Sequence, residues 1–200
     1  PMSIASEDMI YKDWQIIAQE VASAFEKGAR GVVITHGTDT MHYSSAALSF
    51  MLQKLPGPVV FSGAQRSGDR GSSDAFMNLS CSAKLAAYSD IAEVGICMHA
   101  SSSDDWCSFI RGTKARKMHT TRRDAFKPVN DKPIARVSSK LEIEYLSSYR
   151  KIGSSNGTVK ALTKFEEKVA LVKAYPNSDP GIIEYYASKG FKGIIIEGTG

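Results

Sequence analysis

Residues 31–43 read GVVITHGTDTMHY, where a short β-branched run ends at a His-Gly pair and an amphipathic helical pattern follows directly. The pattern predicts a buried strand over residues 32–35 and a helix that begins at Met41. A turn between a buried strand and a helix offers free backbone N–H groups to a small polar ligand. The stretch therefore points to chemistry at Thr38 and Asp39, although either side chain could simply cap the helix.

Strands and helices alternate along the rest of the chain. Helices are expected at residues 11–27, 41–55 and 75–87 and from Ser178 onward, and strands at 32–35, 59–61, 94–98, 106–110, 141–145, 169–172 and 193–197. In the third helix, Phe76, Leu79, Ser80, Ala83 and Ala87 fall on one helical face, as a core-facing stripe would. This alternation predicts an α/β fold with a parallel sheet and right-handed crossovers.

Composition limits the function classes. Hydrophobic residues make up 42% of the 200 residues and charged residues 23%, which is typical of a globular protein, and the apolar runs are too short to span a membrane. The net charge of +4 is too small to indicate nucleic-acid binding by itself. Three cysteines without a CxxC pair favour free thiols in the cytoplasm.

Two local features could carry a ligand. Residues 111–127 contain seven basic side chains and one acid, which is either a solvated basic face or a surface for RNA or a partner. The four histidines lack the spacing of metal ligands, and the glycines of residues 63–71 lack the lysine of a P-loop. No metal and no nucleotide cofactor is therefore expected in this chain.

Four segments in the same order resemble the L-asparaginase family. HGTDTMHYSSAALSFML (residues 36–52) resembles its second active-site motif, and MSIASEDM (residues 2–9) is similar to its substrate-binding loop. ARKMHTTRRDAF (residues 115–126) resembles the segment with the catalytic lysine, and IIIEGTG (residues 194–200) resembles the entry to the smaller C-terminal domain. The resemblance implies an asparaginase-like parallel sheet flanked by helices, followed by the start of a second α/β domain.

The resemblance also implies the domain bounds. The N-terminal α/β domain is expected over residues 1–145, a linker and edge element over 146–166, and the start of the C-terminal domain over 167–200. The family's other catalytic threonine lies in a Thr-Gly-Gly-Thr motif that these residues do not contain. We therefore expect the chain to be a piece of a longer protein, and the 200 residues alone to release no ammonia.

Six residues match functional positions of the family. The resemblance assigns Thr38, Asp39 and Lys117 to a catalytic proton relay, and Ser6, Glu7 and Gly37 to the binding of the substrate's amino-acid end. A lysine at its ordinary pKa is a cation, and a nearby carboxylate favours that form, whereas burial opposes it. Lys117 could act as a base if burial prevails, or otherwise as a group that positions Thr38 and passes on protons.

Within the family, SGAQRSGDRGSSDAF (residues 62–76) and RKMHTTRRDAF (residues 116–126) look most like the ammonia-releasing component of archaeal glutamyl-tRNA(Gln) amidotransferases. That resemblance implies a homodimer that releases ammonia from glutamine or asparagine. A separate E subunit, with ATP and Mg²⁺, uses the ammonia on tRNA-bound glutamate. The alternatives are a free cytoplasmic L-asparaginase and a non-catalytic RNA-binding scaffold.

Overall fold

The computed structural model describes residues 2–154 and 157–199, in two compact units, Pro1–Thr163 and Lys164–Gly200. The helices are a 3₁₀ turn at Ser6–Asp8, α1 (Tyr11–Glu26), α2 (Met41–Met51), α3 (Ala75–Tyr88) and α4 (Gly181–Ser188). The strands are β1 (Val32–Thr35), β2 (Leu52–Gln53), β3 (Val59–Ser62), β4 (Val94–His99), β5 (Trp106–Arg111), β6 (Ala115–Lys117), β7 (Phe126–Pro128), β8 (Ala135–Ser138), β9 (Ile143–Tyr145), β10 (Lys160–Ala161), β11 (Val169–Lys173) and β12 (Gly193–Glu197).

The first unit is built on a six-stranded sheet in the order β1-β3-β4-β5-β8-β9. Strands β1, β3 and β4 are parallel, with α2 and α3 in the connections, whereas β5, β8 and β9 add antiparallel pairs. The predicted α/β fold is therefore confirmed, and within this sheet only β1, β3 and β4 pair in parallel. Because these three strands run the same way, the loops after them meet at one edge of the sheet, where open α/β sheets bind ligands.

The two faces of the sheet carry separate hydrophobic clusters, and strand β3 contributes to both. Val59 and Phe61 pack in the cluster that includes residues of α1 and α2, whereas Val60 packs in the cluster that includes residues of α3. Successive side chains of a strand point to opposite faces, so a fully buried strand reads as a continuous apolar run. This burial explains why residues 59–61 could be identified from sequence.

Helix α2 is shorter than the apolar pattern predicted. It ends at Met51, and Leu52 adopts an extended backbone (φ −95°, ψ 110°) that starts the short strand β2. Leu52 and Gln53 pair with β10 in an antiparallel ladder. The extension of the helix to Leu55 was therefore wrong, because apolar side chains at helical spacing can also be buried from a strand and turn.

Helix α3 turns a different face to the core from the one that periodicity indicated. Phe76 is 84% exposed and Leu79 48% exposed, whereas Asn78, Cys81 and Leu85 are buried. The face predicted from apolar residues was wrong because a hydrogen-bonded asparagine, which hydropathy alone would place outside, occupies the centre of the buried face. Asn78 Nδ2 donates to the carbonyl oxygen of Gly63, at the end of β3, over 2.9 Å.

The segment from residue 130 to 158 contributes an internal strand that the sequence pattern did not show. Strand β8 lies between β5 and β9 in the sheet, and β9 begins at Ile143, after Leu141 turns the chain with φ +63°. Residues 160–161 form β10 within the first unit. The short strand β8 alternates small, charged and apolar residues, which gave too weak a periodic signal.

The second unit contains a parallel pair of strands joined through a helix. Strands β11 and β12 pair over five residues, and α4 follows Pro180, which lies at its N-cap. These elements agree with the predicted strands and helix start, while Gly200, the last residue of the IIIEGTG segment, lies outside the described residues. Among residues 2–154 and 157–199, no helix combines the length and apolar character needed to cross a membrane.

Candidate active site

The turn after β1 holds the first two candidate residues, and neither of them caps helix α2. The N-cap is Thr40, which makes no side-chain hydrogen bond to the helix. Its Oγ1 instead donates to the carbonyl oxygen of Ser6 over 2.6 Å. The capping alternative for Thr38 and Asp39 therefore does not hold, and both side chains remain available for other contacts.

Lys117 reaches this turn from a part of the chain almost eighty residues away. Its Nζ lies 2.9 Å from Thr38 Oγ1 and 2.8 Å from Asp39 Oδ1, so the ammonium donates to both. The Lys117 side chain is only 9% exposed, whereas that of Asp39 is 65% exposed. The structure thus brings the three predicted relay residues together, with the lysine sheltered and the carboxylate open to solvent.

Lys117 lies on a short β-hairpin. Strands β6 and β7 pair antiparallel, with Lys117 opposite the buried Phe126. The chain enters the hairpin through Gly112, where a Cβ would lie 2.6 Å from Ser49 Oγ and 2.7 Å from the carbonyl oxygen of Ser45. The small side chains of Ser45 and Ser49 on α2 allow this close approach, and the contact places the hairpin beside the turn.

Ser6 and Gly37 form the other wall of the site. A Cβ on Gly37 would lie 2.7 Å from both Cβ and Oγ of Ser6, so only glycine fits at this position without displacing the segment. Ser6 is buried, and its Oγ donates to Glu7 Oε2 over 3.5 Å, at the long limit for a hydrogen bond, while Glu7 is exposed. The predicted substrate residues thus lie against the turn that carries Thr38.

A cavity of about 330 Å³ opens beside Ser6 and Gly37. Most of its lining residues are apolar and come from residues 2–9, helix α1 and strand β1, and the polar ones are Ser6, Glu20, Thr35 and His36. This volume lies at the low end of the range for small-molecule sites. The cavity is lined by two of the three predicted substrate-binding residues, Ser6 and Gly37, but not by Glu7, Thr38 or Lys117.

Three residues near the site were missed by sequence reasoning: Thr40, His36 and His42. His36 Nδ1 lies 2.6 Å from the carbonyl oxygen of Gly37, and burial lowers the pKa of His36 below its usual value. Burial, followed by the charges of Arg116 and Lys117, lowers the pKa of His42 as well. Both imidazoles are therefore held neutral, so they add no positive charge beside the Lys117 ammonium. The sequence feature that could have identified these three residues is their position within or just after the HGTDT motif.

The basic segment, residues 111–127, is largely neutralised by acids of the same chain. Five of its seven basic side chains form ion pairs: Arg111 with Glu93 and Asp131, Lys117 with Asp39, Arg122 and Lys127 with Asp124, and Arg123 with Asp104. The hydrogen bond from Arg122, together with Lys127, holds the pKa of Asp124 far below its usual range. These pairs favour a structural role for the segment over a free RNA-binding face.

Among the described residues, no group of three or more His, Cys, Asp or Glu side chains could hold a metal ion. The three cysteines are buried and free. The expectation that this chain needs no metal or cofactor stays a prediction.

The chain is similar to a known protein family and to curated relatives. Residues 1–149 match the family model described as "Asparaginase, N-terminal". The chain is 56% identical over 199 residues to the D subunit of glutamyl-tRNA(Gln) amidotransferase from Pyrococcus furiosus, covering 99% of this chain and 45% of the relative. It is 54% identical to the same subunit of Archaeoglobus fulgidus, covering 99% of this chain and 46% of the relative. The chain thus spans about half the length of these curated relatives.

Solved structures show the same fold. The thermostable L-asparaginase from Thermococcus kodakarensis is 30% identical with a TM-score of 0.86, covering 100% of this chain and 57% of that one. L-asparaginase I from Vibrio cholerae is 29% identical with a TM-score of 0.81, covering 96% of this chain and 56% of that one.

Proposed function

This chain belongs to the asparaginase family, and we propose that it carries part of an amidohydrolase site that releases ammonia from glutamine. In this proposal the ammonia serves the conversion of Glu-tRNA(Gln) to Gln-tRNA(Gln), as the names of the archaeal amidotransferase relatives suggest. One observation carries the proposal: Lys117 Nζ bridges Thr38 Oγ1 and Asp39 Oδ1 in a sheltered position.

The proposed reaction uses a hydroxyl group as the nucleophile and side chains that can transfer protons. A threonine hydroxyl attacks the side-chain carboxamide, and the C–N bond breaks as the nitrogen takes a proton and leaves as ammonia. Water then hydrolyses the acyl ester to the carboxylate. Thr38, Lys117 and Asp39 form a chain along which a proton can move to and from the reacting atoms. The second threonine of the family pattern is not among these 200 residues, and their inactivity in isolation stays a prediction.

Substrate binding is assigned to Ser6, Glu7 and Gly37. The exposed Glu7 carboxylate suits the α-ammonium group of an amino acid. Gly37 lies in the turn that precedes α2, and the helix dipole at the N-terminus of α2 favours the α-carboxylate of a bound amino acid. Glutamine and asparagine share both groups and differ by one methylene, which changes discrimination only modestly. We therefore propose that both amides are substrates.

The proposed partners follow from the relatives. A homodimer of the complete protein would work with an E subunit, which binds ATP, Mg²⁺ and the tRNA, while this chain binds no cofactor. The reaction on an aminoacyl-tRNA belongs to the cytoplasm, and the three free thiols suit that compartment.

The relay is tested in the complete gene product by measuring ammonia release from glutamine. Thr38→Val and Lys117→Met each remove one polar group, and we expect each to lower the rate by at least about 100-fold. Thr113→Val and Lys114→Met are the matched controls, because both residues lie in the turn between β5 and β6, outside the site. If Thr38→Val retains more than half of the rate, the proposal fails.

A free L-asparaginase remains the second candidate, because the solved structures with the same fold are L-asparaginases. The two functions differ in their response to the partner. For the amidotransferase role, adding the E subunit with Glu-tRNA(Gln) raises glutaminase turnover. A free asparaginase shows the same turnover with or without them. A non-catalytic RNA-binding scaffold predicts instead that Thr38→Val leaves ammonia release intact.

A further inference from the structure

A second concave region lies between the loop after β3 and the connection from β6 to β7. It is a cleft of about 830 Å³, which falls within the usual range for small-molecule sites. The six residues assigned to the amide reaction do not line it. Its described lining holds no aspartate or glutamate, and its charged and hydroxyl side chains are those of Arg66, Arg70, Arg123, Ser67, Ser72 and Thr121.

Hydrogen bonds that do not involve its arginine side chains hold the loop after β3. The buried carboxylate of Asp74 accepts from the backbone N–H groups of Gln65 over 3.1 Å and Arg66 over 2.9 Å. Ser73 Oγ donates to the carbonyl oxygen of Arg66 over 2.8 Å. Gln65 Nε2 donates to the carbonyl oxygen of Arg122 over 2.9 Å, in the connection from β6 to β7. The backbone of the loop is therefore fixed, and its guanidinium groups remain available for a ligand.

Arg66 and Arg70 are the two exposed arginines of this loop. In the described ranges 2–154 and 157–199, their guanidinium groups form neither an ion pair nor a hydrogen bond. Asp69, between them in sequence, is exposed and does not line the cleft. The arginines that do pair with carboxylates are Arg111, Arg122, Arg123 and Arg136. Because an arginine in a protein stays charged, the cleft holds two cations without an internal partner.

Arg123 adds little free charge to the cleft. Its Nη1 donates to Asp104 Oδ1 and its Nη2 to the carbonyl oxygen of Ser102, each over 2.5 Å. Its charge is therefore offset within the chain, as are those of most basic side chains in residues 111–127. The free positive charge comes from the loop after β3 rather than from that basic segment.

The free donors of the cleft suit a phosphate group. A guanidinium presents its N–H groups in a planar fork that matches two oxygens of a phosphate. The hydroxyl groups of Ser67, Ser72 and Thr121 form no hydrogen bond with the residues that the structure describes, so they can donate to further oxygens. A phosphate accepts from more donors than a carboxylate, which has two oxygens. The number of free donors therefore favours a phosphate.

We propose that the cleft between the loop after β3 and the β6–β7 connection binds a phosphate group. The phosphate is either a phosphodiester of RNA or a free phosphate ion, because the same donors recognise both. Since the six residues of the amide site do not line the cleft, a phosphate and an amino-acid amide can be bound at the same time. The proposal goes beyond amide hydrolysis and does not depend on it.

Calorimetric titration of the complete gene product with inorganic phosphate tests the site, at a constant ionic strength set with chloride. We expect saturable binding. Arg66→Gln and Arg70→Gln should each weaken it about tenfold, because each substitution removes a charged donor. Both side chains are exposed, so both variants should fold.

The matched control is Arg30→Gln, which removes the same charge from another exposed side chain. Arg30 precedes β1 and so lies at the opposite edge of the parallel strands from the loop after β3. This variant should bind phosphate as the wild type does. An equal loss in all three variants would reveal only a general attraction of anions and would overturn the site.

A short single-stranded RNA of mixed sequence distinguishes the two sources of phosphate. If the phosphate belongs to RNA, the RNA binds more tightly than inorganic phosphate, and each arginine variant makes the slope of log K against log salt shallower by about 0.7. If it is a free ion, inorganic phosphate binds and the RNA does not displace it. A glutamate-rich peptide is the third probe. Binding of that peptide alone, or of none of the three probes, would overturn the proposal.

Discussion

At the scale of single residues, the site depends on contacts between groups that are far apart in the chain. Lys117 Nζ is within hydrogen-bonding distance of two side chains in the turn after β1, and it is sheltered while Asp39 is open to solvent. A sheltered ammonium beside an exposed carboxylate gives the site a fixed donor and a group that can exchange protons with water. Neither the distance nor the difference in exposure can be read from the sequence positions.

Gly37 provides a test of how the substrate wall is held. In Gly37→Ala the added Cβ would meet Ser6 Cβ and Oγ at 2.7 Å, so the segment of residues 2–9 must shift. In the complete gene product we expect KM for glutamine to rise about tenfold, with a loss of stability of about 1–3 kcal/mol. Steady-state kinetics and denaturant unfolding measure the two effects.

The matched control is Gly68→Ala, because a Cβ on Gly68 meets nothing within 4 Å. Equal effects in the two variants would contradict the close contact with Ser6 as the cause of the change in Gly37→Ala.

At the scale of elements, regular apolar patterns were predictive and polar contacts were not. Strands β1 and β12 were found at their observed bounds, because each is a β-branched run between turn residues. The turn between a strand and a helix pointed to Thr38 and Asp39. Lys117 was identified only through the family resemblance, since no local pattern relates residues on separate elements. The face of α3 was missed because Asn78, a polar residue, is buried with hydrogen bonds to Gly63 after β3, to His99 on β4 and to Asp74 at the N-cap of its own helix.

Two substitutions in helix α3 compare the face that periodicity predicted with the face that the structure buries. Leu85→Ala removes a fully buried side chain and should lower the free energy of unfolding by about 2–5 kcal/mol. Phe76→Ala removes a larger side chain that is 84% exposed and should change it by less than about 0.5 kcal/mol. Urea unfolding of both variants makes the comparison, and a larger loss in Phe76→Ala would mean that the helix is rotated from its observed position.

At the scale of the whole molecule, three hydrogen-bonded carboxylates of the first unit link its stability to pH. Hydrogen bonds from Tyr149 to Asp90, from His99 to Asp104 and from Arg122 to Asp124 hold the pKa of each carboxyl below its usual 3.8. The unfolded chain binds protons on these groups at a higher pH than the folded chain does. Their contribution to stability is therefore present above about pH 4 and is lost as the pH falls further.

Acid unfolding tests this linkage. The free energy of unfolding, measured in urea from pH 7 to pH 2.5, should fall steeply below about pH 4. Asp124→Asn should lower it by about 1 kcal/mol at pH 7 and flatten part of the acid loss, because one of the three linked groups is gone. Asp105→Asn should follow the wild-type curve, since that side chain is exposed to solvent. An equally steep acid loss in Asp124→Asn would contradict the role given to its ion pairs.

The position of the β6–β7 hairpin determines whether the three site residues come together. Lys117 contacts Thr38 from a hairpin that the chain enters at Gly112, where the backbone lies close to Ser45 and Ser49 of α2. If the hairpin moves away from α2, Thr38 and Asp39 stay in the turn after β1, but Lys117 Nζ no longer lies between them. Displacement of this one hairpin would therefore separate the three site residues while the parallel strands of the sheet stay paired.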